Sequence, residues 1–235
     1  MSFEAYAQPV IYADESARSA FLRKVGTWLA GGLTIAAVSA ALSAMTVAPM
    51  IFGMGENGWM ANLVLVFGAM FVAQNVGRGM VRSNNKTMGF VLGTSAMGVA
   101  MGPLILVAVM VAGGTLEIVM QAGGLTALTV FGMCAYLWSG PKNLSMIGSA
   151  MSVLGLPALI LMGISFVFPI GGPLGIMVSM VFVALSAGGL VYNLNQVLHV
   201  ASTTQVVEAA YEIALGVIVL FWNVLSLLIR MRGRD

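Results

Sequence analysis

Apolar residues fill seven long stretches of this 235-residue chain, at approximately 25–47, 57–77, 87–112, 116–138, 144–166, 173–198 and 206–230, with a few polar residues between them. The hydrocarbon core of a bilayer is about 30 Å thick, and a helix needs about 20 apolar residues to span it. Every stretch reaches that length. Backbone N–H and C=O groups in lipid have to be bonded within their own segment, so these stretches are helices rather than open strands. The pattern predicts an all-α polytopic membrane protein: a polar N-terminal tail (1–24), a bundle of seven transmembrane helices (25–230) and a basic C-terminal tail (231–235).

Composition leaves no room for a soluble domain. The chain is 60% hydrophobic and 8% charged, against about 25% charged residues in soluble proteins. Its net charge of +2 carries no nucleic-acid signal, because no basic run exceeds Arg23-Lys24. The single cysteine, Cys134, excludes an internal disulfide and a thiolate metal cluster, and reads as a small packing residue in the fourth stretch. Residues 1–20 show neither an apolar signal core nor an early basic run. They read as an aqueous tail, with an interfacial helix from Asp14 to Lys24.

The basic residues set an orientation. Arg18, Arg23 and Lys24 precede the first stretch, Arg78, Arg82 and Lys86 lie between the second and third, and Lys142 lies between the fourth and fifth. The other internal connections have none, so the positive-inside rule places the N-terminus in the cytoplasm. Seven full crossings export Arg230, Arg232 and Arg234; a re-entrant late segment keeps all ten basic residues on the cytoplasmic side. Both arrangements fit the sequence.

Packing signals are dense. Gly89/Gly93 and Gly98/Gly102 repeat a small-xxx-small spacing in the third stretch, where close backbone approach drives association between apolar helices. They serve a compact bundle or a dimer face. Pro103 and Pro157 fall inside the third and fifth stretches, where they kink a helix. Trp28, Trp59 and Trp138 sit at predicted span ends, as interfacial anchors do. The 19 methionines are scattered through the spans, which suits a repackable interior and not a copper site.

Recognisable catalytic chemistry is absent from the sequence: it contains no hydrolase triad pattern, no His-Glu-x-x-His and no phosphate-binding glycine loop. A lone His199 does not make a multi-histidine metal site. No catalytic residue, metal or cofactor is expected. The polar content of the spans concentrates around the last two. Tyr192, Gln196 and His199 share a helical face, with Asn195 on the stripe and Asn193 beside it; they either bond between helices or line a route. Ser202 to Gln205 reads as a capping box in which Ser202 caps and Gln205 reaches back. Counted from Ser202, Glu208 lies about 9 Å and Glu212 about 15 Å along the axis. An ionised carboxylate at that depth is costly unless paired or hydrated, which makes Glu212 the sharpest site candidate and Glu208 its neighbour. Glu117 reads as a span-end residue.

Four stretches resemble the Bax inhibitor-1 family, in its bacterial YccA-like branch: Phe21 to Val25, Met97 to Leu104, Ala135-Tyr136 with Lys142 to Ser145, and Tyr192 to His199. The resemblance implies a bundle whose last helix is central. It also implies either a regulator, such as a modulator of a membrane protease, or a pH-sensitive calcium leak that relies on two buried aspartates. The chain departs at both aspartates: the first position matches Asn193 and the second falls near Gly216, while a loop position often occupied by Asp is Asn143. An amide and a glycine do not form a proton-sharing carboxylate pair, and calcium favours anionic oxygen ligands. Glu212, one turn before Gly216, then reads as a displaced acid facing Asn193 and His199. The expected function is a non-enzymatic regulatory or interaction subunit in a bacterial inner membrane, with the lipid bilayer and a membrane protein as partners and no nucleic acid. The alternative is a leak pathway with Ca2+ or H+ as permeant or regulator.

Overall fold

A computed structural model describes residues 9–138 and 172–233. The fifth predicted stretch, 144–166, lies outside them, together with Pro157, Lys142 and Asn143. The described elements are α1 (Glu15–Met45), α2 (Val47–Gly53), α3 (Gly58–Phe71), a π-helical turn (Val72–Gly77), α4 (Arg78–Val81), α5 (Lys86–Val111), α6 (Glu117–Trp138), α7 (Gly172–His199) and α8 (Val206–Arg232). Grouped into continuous spans, they give six helices long and apolar enough to cross a membrane among the described residues. The protein is an all-α membrane bundle.

Two boundaries differ from what the sequence motifs predict. No separate interfacial helix covers Asp14 to Lys24; α1 runs unbroken from Glu15. Phe21 and Val25, four residues apart, are both buried and hold its polar first turns against the bundle. At the other boundary α8 starts at Val206, where the apolar stretch begins, and not directly after Ser202 as the capping box implied.

Ion pairs fix the direction of α8. Glu208 and Glu212, near its start, meet Lys86, Arg78 and Arg82 of the α4–α5 hairpin, whereas Arg232 at its end pairs with Glu117 at the start of α6. The 27 residues of α8 extend about 40 Å. It therefore runs from the end of the bundle that holds the α4–α5 hairpin to the end that holds the start of α6. Arg230 and Arg232 lie at the end opposite Arg78 and Lys86.

The last helix is central. From Ala209 to Leu220 nearly every residue of α8 is buried, and it touches α1, α4, α5, α6 and α7. A helix covered on all sides occupies the core of a bundle.

The glycines of α5 set the spacing around it. A Cβ on Gly98 would meet the Ala36 carbonyl of α1, and one on Gly102 would meet Ser43. Gly89 faces Met80 and Val81, and Gly93 faces Tyr211 of α8. The four residues thus admit three different neighbours, with no single dimer stripe among them. Trp28, expected at an interface, packs edge-on against Phe90 at 5.1 Å between ring centroids. Trp59 is half exposed near the start of α3. Cys134 is on the exposed face of α6 rather than packed inside.

Pro103 illustrates how one residue requires another. Proline has no N–H, so the carbonyl four residues earlier, that of Val99, loses its helical donor. The buried Ser43 hydroxyl of α1 donates to that oxygen at 2.7 Å. Ser43→Ala is expected to cost about 1 kcal/mol, the value of one satisfied hydrogen bond in a buried site. In the Pro103→Ala background the backbone N–H returns and the cost of Ser43→Ala should shrink. Unfolding of both pairs in mixed detergent micelles measures the difference.

Candidate functional site

The charged residues at the start of α8 lie on one side of the helix and meet a basic hairpin. Glu212 Oε2 accepts from Arg78 Nη2 at 2.6 Å, and Arg82 Nη2 lies 3.8 Å from its other oxygen. One turn earlier, Glu208 Oε1 is 2.7 Å from Lys86 Nζ. Exposure grades these contacts. The side chains of Glu212 and Arg78 are 27% and 35% exposed, whereas Arg82 is 67% exposed. The Arg78 pair is the sheltered one, and shelter weakens the screening that makes surface pairs nearly worthless.

Tyr211, adjacent to Glu212, carries the second half of the site. Its side chain is fully buried, and its hydroxyl donates to the Ala73 carbonyl at 2.7 Å. Ala73 belongs to the π-helical turn Val72–Gly77. A π turn holds one residue more than an α turn, which rotates all later side chains by about 100° around the axis. Arg78 is the first residue after that turn, on the side that meets α8. The ring of Tyr211 occupies space kept open by glycine: Cβ atoms on Gly77 or Gly93 would overlap its hydroxyl. Phe90 closes the other side, with ring centroids 5.9 Å apart. Tyr211 and Glu212 together bind the second span to the last helix, one by packing and one by charge.

The residues expected to form one acid site are dispersed. Glu212 takes Arg78 and Arg82 as partners rather than Asn193 or His199. Because α8 begins at Val206, Glu208 lies only about 3 Å and Glu212 about 9 Å along its axis, shallower than the count from Ser202 implied. The Gln196 amide donates to the Tyr192 hydroxyl one turn away, within α7. His199 Nδ1 pairs with the Asn195 carbonyl at 3.0 Å. Only half of the expected capping box forms. Gln205 Oε1 accepts from the Ser202 backbone N–H, but the Ser202 hydroxyl pairs with Thr204 instead of a helix N–H.

Asn193 and Gly216 do meet. The Asn193 amide nitrogen lies 3.7 Å from where a Cβ on Gly216 would stand, beside Leu190. These are the two positions expected to correspond to the paired aspartates. Among the described residues, four polar atoms near this end of the bundle are buried without a partner: Arg78 Nε, Glu208 Oε2, Asn195 Oδ1 and His199 Nε2. Buried polar atoms ordinarily find a bond, to protein or to water. Tyr211 and the Arg78 pairing escape a sequence reading, since Arg78 and Glu212 are 134 residues apart. The available signal was charge balance: two acids enter the last span on the side where the basic hairpin lies.

The family model described as "Inhibitor of apoptosis-promoting Bax1" matches residues 18–234. Among characterised proteins, the chain is 23% identical over 199 residues to the modulator of FtsH protease YccA of Escherichia coli strain K12, covering 83% of each chain. The inner membrane protein YccA of Escherichia coli O6:H1 matches with the same identity and coverage.

Proposed function

The chain belongs to the Bax inhibitor-1 family, and on that footing we propose that it is a non-enzymatic regulatory subunit of a membrane complex in a bacterial inner membrane. A membrane-anchored protease of the FtsH type is the first partner to test, because the relative it resembles is named a modulator of that protease. The observation that carries this reading is the meeting of Asn193 with Gly216. The position suited to a proton-sharing acid pair is built and holds no acid. The acids that α8 does carry, Glu208 and Glu212, are engaged by Lys86 and Arg78. Such pairs fix how two helices sit against each other and leave less free carboxylate for a cation. The N-terminus is assigned to the cytoplasm, since Arg18, Arg23, Lys24, Arg78, Arg82 and Lys86 gather at that end of the bundle.

A second reading, a cation or proton leak with an altered acid site, is favoured by the unpartnered Glu208 Oε2, Asn195 Oδ1 and His199 Nε2. Buried groups of this kind bind water or an ion. One pair of experiments separates the readings. Affinity-tagged full-length protein extracted in mild detergent is expected to co-elute with the protease in fixed stoichiometry. Proteoliposomes are expected to show no calcium or proton flux that Glu212→Gln alters. A solitary protein whose pH-dependent flux changes in that variant would establish the leak instead.

A further inference from the structure

A groove of about 240 Å3 opens on the flank of the bundle between α1 and α5, lined by Thr27, Trp28, Gly31, Ile35, Phe90 and Val91. Nothing in the regulatory reading uses it. Glycine keeps it open: Gly31 is exposed, and a Cβ there would meet no atom within 4 Å. Trp28 and Phe90, edge-on at 5.1 Å, form one wall. The Thr27 hydroxyl is turned back onto the Arg23 carbonyl at 3.0 Å, which leaves the rest of the lining apolar. The volume is below that of small-molecule sites, which start at about 300 Å3. A segment of hydrocarbon chain fits it better than a whole ligand does.

The residues above the groove identify the molecule that owns the chain. Lys24 lies one turn before Trp28 and two turns before Gly31 on the same face of α1, with Arg23 beside it. Both cations are exposed, and among the described residues neither has an acidic partner. From the polar end inward, this face of α1 presents two cations, an indole, a glycine gap and an aliphatic side chain. We propose that the groove seats one acyl chain of an anionic phospholipid whose phosphodiester lies at Lys24 and Arg23. Charge complementarity selects an anionic headgroup, and the indole of Trp28 stands at the depth where headgroup gives way to chain. Length selects a lipid over a partner helix. From Lys24 to Ile35 is about 16 Å along the axis, half of a hydrocarbon core about 30 Å thick, so the site spans one leaflet and stops. Phe90 also closes one side of Tyr211, so a chain seated here packs on the ring that holds the last helix.

Native mass spectrometry of the full chain, released from detergent in the presence of phosphatidylglycerol, tests the site. One lipid is expected to remain bound. Lys24→Gln should weaken binding about fivefold, the effect of one basic residue at an anionic membrane surface, and Lys24→Arg should restore it. Arg18→Gln is the charge control, because Arg18 lies about 120° around α1 from Lys24; it should leave affinity nearly unchanged. Gly31→Leu fills the groove without changing charge and should abolish retention. Gly26→Leu, at a glycine equally free of neighbours but outside the lining, should not. Equal losses in Lys24→Gln and Arg18→Gln would overturn the site in favour of diffuse attraction. Equal losses in the two leucine variants, or undiminished retention in Gly31→Leu, would show that no chain enters the groove. Equal retention of phosphatidylcholine would overturn the anionic headgroup. If Gly31→Leu released a copurifying membrane protein while phosphatidylglycerol stayed bound, the groove would belong to a partner helix instead.

Discussion

Gly93→Val is expected to destabilise the bundle by about 3 kcal/mol, the upper part of the range for overpacking a close-packed interior. The reason is the absence of any route for relief. A Cβ at position 93 falls on the hydroxyl of Tyr211, and the ring carbons behind it are only 2.6 and 2.7 Å away. Tyr211 cannot retreat, because its hydroxyl is bonded to Ala73 and Phe90 stands against its ring. The backbone of α5 cannot retreat either, since Gly98 and Gly102 hold the same helix against α1. Unfolding in mixed detergent micelles, followed by circular dichroism, measures the cost. A second variant separates this clash from a general intolerance of the helix. Tyr211→Leu alone loses the hydrogen bond and the aromatic contact, but it removes the obstacle. The double variant Gly93→Val, Tyr211→Leu should therefore be more stable than the sum of the singles implies, with a coupling of about 1–3 kcal/mol. Strict additivity would show that Gly93 and Tyr211 are not the interacting pair.

This junction also marks the limit of what the sequence discloses. Hydropathy located α5, α6, α7 and α8 within a few residues, because long apolar length is a direct consequence of bilayer thickness. It missed the first ten residues of α1, since those turns are polar and are held by Phe21 and Val25 rather than by lipid. The spacing of Gly89, Gly93, Gly98 and Gly102 announced close packing but not which helix approaches each one. Depth is readable from a sequence; azimuth around the axis is much less so. A π turn is the extreme case, because one additional residue redirects Arg78 and no residue in Val72 to Gly77 announces it. For the same reason Glu212 was readable as an acid requiring a partner, while the partner itself was not. The family resemblance drew attention to Asn193 and Gly216, which lie near each other, although neither residue has chemistry that attracts notice alone.

Glu212→Ala should cost about 2 kcal/mol, between the 0–1 kcal/mol of exposed ion pairs and the 3–5 kcal/mol of breaking fully buried ones. The intermediate value follows from the intermediate exposure of both partners, 27% for Glu212 and 35% for Arg78. Much of the cost is the stranding of Arg78, whose Nε is already buried without a partner. Removing both charges should then be less harmful than removing one, so Arg78→Leu, Glu212→Leu is expected to be more stable than either single truncation. The neighbouring contacts supply a graded series for comparison. Arg82→Ala, at 3.8 Å and 67% exposed, should change stability by less than about 0.5 kcal/mol. Lys86→Ala, which frees Glu208, should fall between the two, at about 1 kcal/mol. Salt provides an independent check. At 1 M the Debye length is about 3 Å, so the Arg82 and Lys86 effects should largely vanish while the sheltered Arg78–Glu212 effect persists. Equal salt sensitivity for all three would mean that Glu212 sits in open water, and the junction would then rest on Tyr211 alone.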